Sequence, residues 1–461
     1  MVVLDVSVVN VALPSIRTDL GFSTSNLQWV VNAYTLTFGG LLLLGGRVVD
    51  LIGSRRTALV GLILFGATSL LGGVAHNSAE LITARAIQGV AGALLLPVSL
   101  TIITTTFAEG AERQRALAAW GAVAGAGVAI GVLLGGVLTQ ELDWRWVLFV
   151  NVPIAVVGAA LTLTSISRRE KSRRVRMDAV GAVLITVALV SLVYSVVSTN
   201  QYSWSSPRVY VPLVVAGVLG TAFVIFEQRV AAEPLVRFGI LRNRSLLVAN
   251  TVFFLLATAQ FGTFYLVSLY LQDVLHYDPL ETGLAFIPFS VGVVAGSFVA
   301  GKLVPRFGAR RLLVIGLVSG AFGTAWFGFV SAQGTFLLGV LGPSIVASIG
   351  IGICFIANTT AATTGVARDE AGLASGILNA CRQCGGSVGL ALLVTVANTA
   401  TREHTHVGLT VPSELAAGYD RAFFVASILI GLAAVIAAFF LPRSRPRPAR
   451  PISVTPQNQT G

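Results

Sequence analysis

Gly46-Arg-Val-Val-Asp-Leu-Ile-Gly-Ser-Arg-Arg56 returns in outline as Gly301-Lys-Leu-Val-Pro-Arg-Phe-Gly-Ala-Arg-Arg311. Each stretch has a glycine, a second glycine seven residues on, one spacer and a pair of arginines. Each reads as a basic turn that closes one apolar run and opens the next. Only 11% of the chain is charged, so two such matches point to internal duplication and two related halves.

Composition sets the class. Hydrophobic residues make up 55% of the 461, and mean hydropathy is +0.83; a soluble domain carries roughly 25% charged residues. The apolar residues fall in continuous runs of about 18 to 25, the length that crosses a bilayer core of about 30 Å as a helix. The chain reads as an all-α integral membrane protein. Runs are expected at 1–16, 27–46, 57–74, 81–104, 117–138, 146–166, 179–197, 209–226, 246–271, 282–304, 312–330, 336–358, 372–397 and 423–441. That gives about 14 transmembrane helices, with the repeated motif after the second and the tenth. Four segments follow: a six-helix bundle over 1–166, a basic linker with an inserted helix pair over 167–245, a second six-helix bundle over 246–441, and a basic, proline-rich tail over 442–461.

Basic residues fix the expected orientation. Loops after odd-numbered runs hold only Arg17, Arg145, Arg208, Arg402 and Arg421, and Arg85 and Arg382 fall inside runs. The other 24 of the 31 lysines and arginines lie after even-numbered runs or in the tail, which places those loops and the C-terminus in the cytoplasm. The net charge of +11 therefore reads as topology and contact with anionic lipid, the Arg168 to Arg176 cluster included, and not as nucleic-acid binding. The first run spans only about 24 Å. It lacks the charged start and the cleavage site of a signal peptide, so residues completing it are expected upstream of Met1.

Charges inside the runs are costly in hydrocarbon and mark candidate sites. Asp5 lies about 16 Å inside the far end of its run. Burial favours the neutral acid and a nearby cation the carboxylate, so Asp5 is a candidate proton carrier and Arg85, reaching inward, its partner. A static, hydrogen-bonded Asp5 is the plainer alternative. Arg382 is expected inside its helix, or at the cytoplasmic interface if that helix starts late. Gly121, Gly125 or Gly127, Gly131, Gly135 and Gly136 put small residues at four-residue spacing on the fifth run, which admits close helix approach.

Leu4-Asp-Val-Ser-Val-Val-Asn-Val-Ala-Leu-Pro14, the Gly46 to Arg56 motif, Leu81-Ile-Thr-Ala-Arg-Ala-Ile-Gln-Gly89, the fifth-run glycines, Asp143-Trp-Arg-Trp146 and Gly376-Ile-Leu-Asn-Ala-Cys-Arg-Gln-Cys-Gly-Gly386 resemble the fourteen-span drug:proton antiporters of the major facilitator superfamily. The resemblance runs from Met1 to about Leu441. It implies the major facilitator fold, two six-helix bundles plus two inserted helices, in the cytoplasmic membrane. It also implies efflux of amphiphilic drugs, antibiotics or secondary metabolites by alternating access, driven by a proton gradient with no cofactor, by a monomer. Asp5 and Arg85 would couple protons. Gly46, Asp50, Gly53, Arg55 and Arg56 would form a cytoplasmic gate, and Gly127, Gly131, Gly135 and Gly136 the antiporter motif.

The chain departs from that pattern at Leu51 and Ser54, where basic residues are usual, and at Val132, where a proline is usual. The first two departures weaken the charge interaction by which, on the resemblance, Asp50 would hold the gate closed against the neighbouring bundle, and the third puts the usual kink in doubt. Asn32, Tyr34, Gln88, Asn358, Arg382 and Gln383, with Trp29 and Phe264, are candidates for an adaptable substrate cavity. Cys381 and Cys384 with only Cys354 besides, and His404 with His406, do not make a metal or redox site. No glycine-rich stretch follows a strand, so no nucleotide loop and no enzyme is expected. An importer or facilitator of a small metabolite on the same fold, and a non-transporting membrane sensor, are the alternatives.

Overall fold

A computed structural model describes residues 1–107, 111–166, 178–231, 234–236, 238–331, 335–366, 371–405 and 411–442. The described residues form helices and no strand, as hydrocarbon demands of a chain that must satisfy its own backbone. The first bundle comprises α1 (Val2–Leu20), α2 (Thr24–Leu27), α3 (Trp29–Ile52), α4 (Ser54–Gly73), α5 (Ser78–Thr106), α6 (Ala111–Glu141), α7 (Trp146–Phe149) and α8 (Asn151–Ser165). The inserted pair is α9 (Ala179–Ser198) and α10 (Pro207–Arg229). The second bundle holds α11 (Arg244–Leu269), α12 (Pro279–Ala285), α13 (Ile287–Phe307), α14 (Ala309–Phe327), α15 (Gly342–Thr363), α16 (Ala371–Thr405) and α17 (Val411–Phe440). Single π-turns, Tyr270–Val274 and Leu337–Leu341, extend α11 and open α15.

Among the described residues, 11 helical segments are long and apolar enough to cross a membrane. The other three expected runs, α1, α6 and α14, are helical and packed among them. Several boundaries move: α3 runs on to Ile52 and α16 to Thr405. α17 starts at Val411 and α1 runs past Ile16 to Leu20, capped by Gly21 in the left-handed region at φ 64°. Asp5 therefore lies about 22 Å from the far end of its helix.

The repeated motifs are not turns. α3 continues through Asp50 to Ile52, and the chain breaks only at Gly53, at φ 86° and ψ 155°. α13 likewise continues to Phe307 and breaks only at Gly308, at φ 82° and ψ 151°. That combination is open essentially to glycine alone, so each helix runs up to its glycine and the next starts directly after it.

In the first bundle α3 and α4 pack on α5, α1 on α6 and α4 on α8; in the second, α11 packs on α16 and α17, and α14 on α15 and α17. α9 bridges the bundles, touching α3 and α16, and α10 rests on α9. Large apolar side chains such as Ile63, Val156, Val218, Phe298, Phe322 and Ile428 point outward, a surface suited to lipid and not to water.

Candidate functional site

The first bundle is pinned at its centre by a buried polar cluster. Arg85 on α5 donates from Nη1 to Asp5 Oδ2 at 2.5 Å and from Nε to the Val30 carbonyl at 3.0 Å. Asp5 Oδ1 accepts from Gln88 Nε2 at 3.0 Å and from Asn151 Nδ2 at 2.8 Å. Gln88 also accepts from Arg85 at 2.6 Å and donates to Ser69 Oγ at 2.7 Å. The Tyr34 ring lies 4.5 Å from the guanidinium carbon. Asp5, Arg85, Gln88 and Asn151 are all at most 1% exposed. Four helices, α1, α4, α5 and α8, and the start of α3 thus converge on one carboxylate.

Arg85 points inward to Asp5, the pose expected from the sequence. Asn151 and Ser69 are the members that sequence reading missed. Each is a polar residue inside an apolar run, but nothing in the spacing says that both runs face α1.

α6 presents its glycines to α1. A Cβ on Gly131 would meet the Leu4 carbonyl oxygen at 2.8 Å, and one on Gly135 the Val8 carbonyl oxygen at 2.7 Å. Gly127 looks onto Val3 and Leu4 with more room, and Gly136 turns away to the Pro279 carbonyl on α12 in the second bundle. Val132 keeps its backbone N–H where a proline would lack one, and α6 runs unbroken from Ala111 to Glu141.

The bundles meet at the face opposite the two glycine breaks, called the distal face below. Arg17 at the end of α1 makes a two-pronged pair with Asp273 after α11, at 2.9 and 2.8 Å. Ser268 Oγ donates to the Asn10 carbonyl at 3.1 Å and Gln272 Nε2 to the Val11 carbonyl at 3.0 Å. Leu280 N donates to Gln140 Oε1 at 3.1 Å. Beside this seam, Trp144 Nε1 and Arg145 each reach Asp19 at 2.9 Å, tying the α6–α7 loop to the end of α1. Deeper along the seam, the Thr35 and Ser387 hydroxyls share a hydrogen bond of 2.6 Å between α3 and α16.

The residues of the expected cytoplasmic gate lie along the end of α3 and the start of α4. The Asp50 side chain lies outside the described residues. Gly46 lies against Pro97 of α5, and Arg56 is exposed. Arg55 Nη2 donates to the Leu163 carbonyl at 3.1 Å, in the last turn of α8 in its own bundle. Its counterpart Arg310 donates to the Ala438 carbonyl in the last turn of α17. Both cations sit where a helix C-terminus attracts positive charge, so the first arginine after each glycine caps the last helix of its own half.

The six candidate cavity residues fall into different surroundings. Tyr34 and Gln88 belong to the Asp5 cluster. Asn32 is fully buried, and neither polar atom of its amide has a partner among the described residues. Gln383 lies in the α3–α16 seam, where a Cβ on Gly39 would strike it. Asn358 donates to the Ala249 carbonyl at 3.0 Å. Arg382 lies within α16, which starts at Ala371, so it is three turns inside the helix and not at its end. Cys354, Cys381 and Cys384 are free, and no cluster of metal ligands occurs among the described residues. His404's side chain, His406, the Arg168 to Arg176 linker and the tail from 443 lie outside the described residues.

The chain matches the Major Facilitator Superfamily over residues 1–390. It is 41% identical to the cephamycin export protein CmcT of Amycolatopsis lactamdurans, over 99% of this chain and 93% of that protein. It is also 41% identical to the puromycin resistance protein pur8 of Streptomyces alboniger, over 92% and 85%, and 34% identical to the lincomycin resistance protein of Streptomyces lincolnensis, over 86% and 82%. Among solved structures, an auto-inhibited POT family peptide transporter superimposes with a TM-score of 0.65 at 14% identity, over 97% of this chain and 98% of that one. A bacterial homologue of the human lysosomal transporter Spinster, inward-facing and occupied, gives 0.64 at 16% identity, over 95% and 93%. At such identities these two speak to the fold alone. The helical runs, the paired glycine breaks and the extent of the match agree: the chain belongs to the major facilitator superfamily.

Proposed function

We propose that this protein exports amphiphilic antibiotics or related secondary metabolites across the cell membrane by alternating access, in exchange for protons. Kinship with antibiotic export and resistance proteins supports the export of such compounds. The observation that carries the coupling is the carboxylate of Asp5, buried and held by Arg85, Gln88 and Asn151. An ionised acid accepts charge-assisted bonds about twice as strong as neutral ones. A proton arriving on Asp5 removes that advantage and loosens Arg85 from α1, which ties protonation to the packing of α1 against α5. With the distal face extracellular, the Arg17–Asp273 pair closes this state to the outside, and the tail is cytoplasmic.

Inverted membrane vesicles with an acidic interior test the reading. The probes are a panel of fluorophores, one permanently cationic, one neutral and one carboxylate. Uptake that depends on the gradient and is lost in Asp5→Asn, with the variant still inserted and folded, is the expected result. Undiminished gradient-driven uptake by Asp5→Asn would remove Asp5 from coupling. Substrate accumulation in whole cells would favour the importer.

A further inference from the structure

A guanidinium inside an apolar bundle is costly unless an anion or several acceptors meet it. The chain obeys that rule at Arg85, which faces Asp5, Gln88 and the Val30 carbonyl. It does not do so at Arg382. Among the described residues no hydrogen bond or ion pair engages this side chain, and its Nε is buried without a partner. Its one recorded neighbour of note is the Phe355 ring, 5.3 Å from the guanidinium carbon. Arg382 as a residue is half-buried, so water reaches part of it, and a cation–π contact of about 0.5 to 2 kcal/mol leaves the charge without an anion.

The surroundings look like half of a binding site. Phe355 packs edge-on against Phe253 at 5.4 Å, which makes an aromatic wall. Asn358, one turn along α15, is tied to Ala249, and Phe254 lies against Gly385 of α16. The stretch 249–254 of α11, 355–358 of α15 and 382–385 of α16 therefore meet. On these stretches the amide oxygens of Asn250 and Asn358 are buried and, among the described residues, without donors. One unpaired cation, an aromatic wall and two idle acceptors lie on these three meeting stretches.

We infer that Arg382 is the anchor for a carboxylate on the transported compound, an inference that rests on the export reading above. The planar guanidinium matches a carboxylate in two-pronged geometry. Phe355 and Phe253 then lie against the apolar body, and Asn250 and Asn358 accept from its N–H or O–H groups. Arg382 stands eleven residues into α16, about 16 Å from that end of the helix, which favours a transported solute over a lipid phosphate as its partner.

The test is equilibrium binding to the purified full-length protein, read by fluorescence anisotropy. The probes are a diethylaminocoumarin carboxylic acid and its ethyl ester, which differ in one charge and one ethyl group. The wild type is expected to bind the acid at least about tenfold more tightly than the ester. Arg382→Gln should lose that preference while keeping its affinity for the ester, which also shows that the variant is folded. Arg382→Lys should retain part of the preference, since it keeps the charge but not the fork. Equal affinity of the wild type for acid and ester, binding of neither, or a preference that survives in Arg382→Gln overturns the assignment. Vesicle transport separates this from the export reading. If the cationic dye is exported but the acid does not bind, the Arg382 site falls and export stands; if the acid binds through Arg382 and nothing moves, the reverse holds.

Discussion

Three donors from two helices hold the two oxygens of Asp5, and they are not equivalent. Arg85 supplies the only charge, whereas Gln88 and Asn151 supply amide hydrogens. Removing Arg85 as Arg85→Met leaves a buried carboxylate without its counter-ion, a loss of about 3 to 5 kcal/mol. Asn151→Ala takes away one donor of three and costs about 1 to 3 kcal/mol. Denaturation of both variants in detergent, compared with the wild type, should rank Arg85→Met as the more damaging. Combining Arg85→Met with Asp5→Asn should recover part of the loss, because no unpaired charge remains. Arg85→Met no worse than Asn151→Ala would mean that the carboxylate is not ionised in this state. The sequence identified Asp5 and Arg85 through their charge alone. Asn151 and Ser69 were hidden because a neutral polar residue in an apolar run is ordinary until the run's facing is known.

At the scale of elements, the paired motifs were legible as a duplication and illegible as geometry. Glycine, glycine and paired arginines looked like an exposed basic turn. Instead, α3 and α13 absorb most of each motif, and a single glycine makes the break. Spacing alone does not distinguish the two, since Arg47, Val48 and Val49 suit a helix as well as a turn. The shared backbone angles predict a shared penalty. Alanine at Gly53 or at Gly308 must enter a region that L-residues avoid, at about 1 to 3 kcal/mol. Thermal unfolding in detergent should show similar losses for Gly53→Ala and Gly308→Ala. No loss at either would mean that the break can form in another way. The α6 glycines differ, because the sequence already held their geometry: four-residue spacing puts Gly127, Gly131 and Gly135 on one helix face, and that face meets α1.

For the whole molecule the question is what must part when the bundles rock. The distal face joins α1 to α11 through Arg17–Asp273, Ser268 and Gln272, and α6 to α12 through Gln140. Backbone carbonyls accept two of these bonds, so side-chain substitution leaves those acceptors in place, and the charge pair is the part that mutation can reverse. Both partners are partly exposed, at 28% and 13%, so water tempers the strength of the pair, while the two-pronged geometry keeps it directional. Arg17→Glu sets two carboxylates face to face and favours the arrangement in which this face opens. Ser268, fully buried in the closed seam, serves as the reporter. In intact cells a Ser268→Cys thiol should resist a maleimide that cannot cross the membrane. Added Arg17→Glu should speed its labelling by about tenfold or more, a shift of about 1.4 kcal/mol in the opening equilibrium. The full swap, Arg17→Asp with Asp273→Arg, should slow it again. If labelling is indifferent to the charges, the closure is held by the backbone clamps and apolar packing alone. Recovery in the swap would instead make Arg17–Asp273 the latch whose breaking starts the transport cycle.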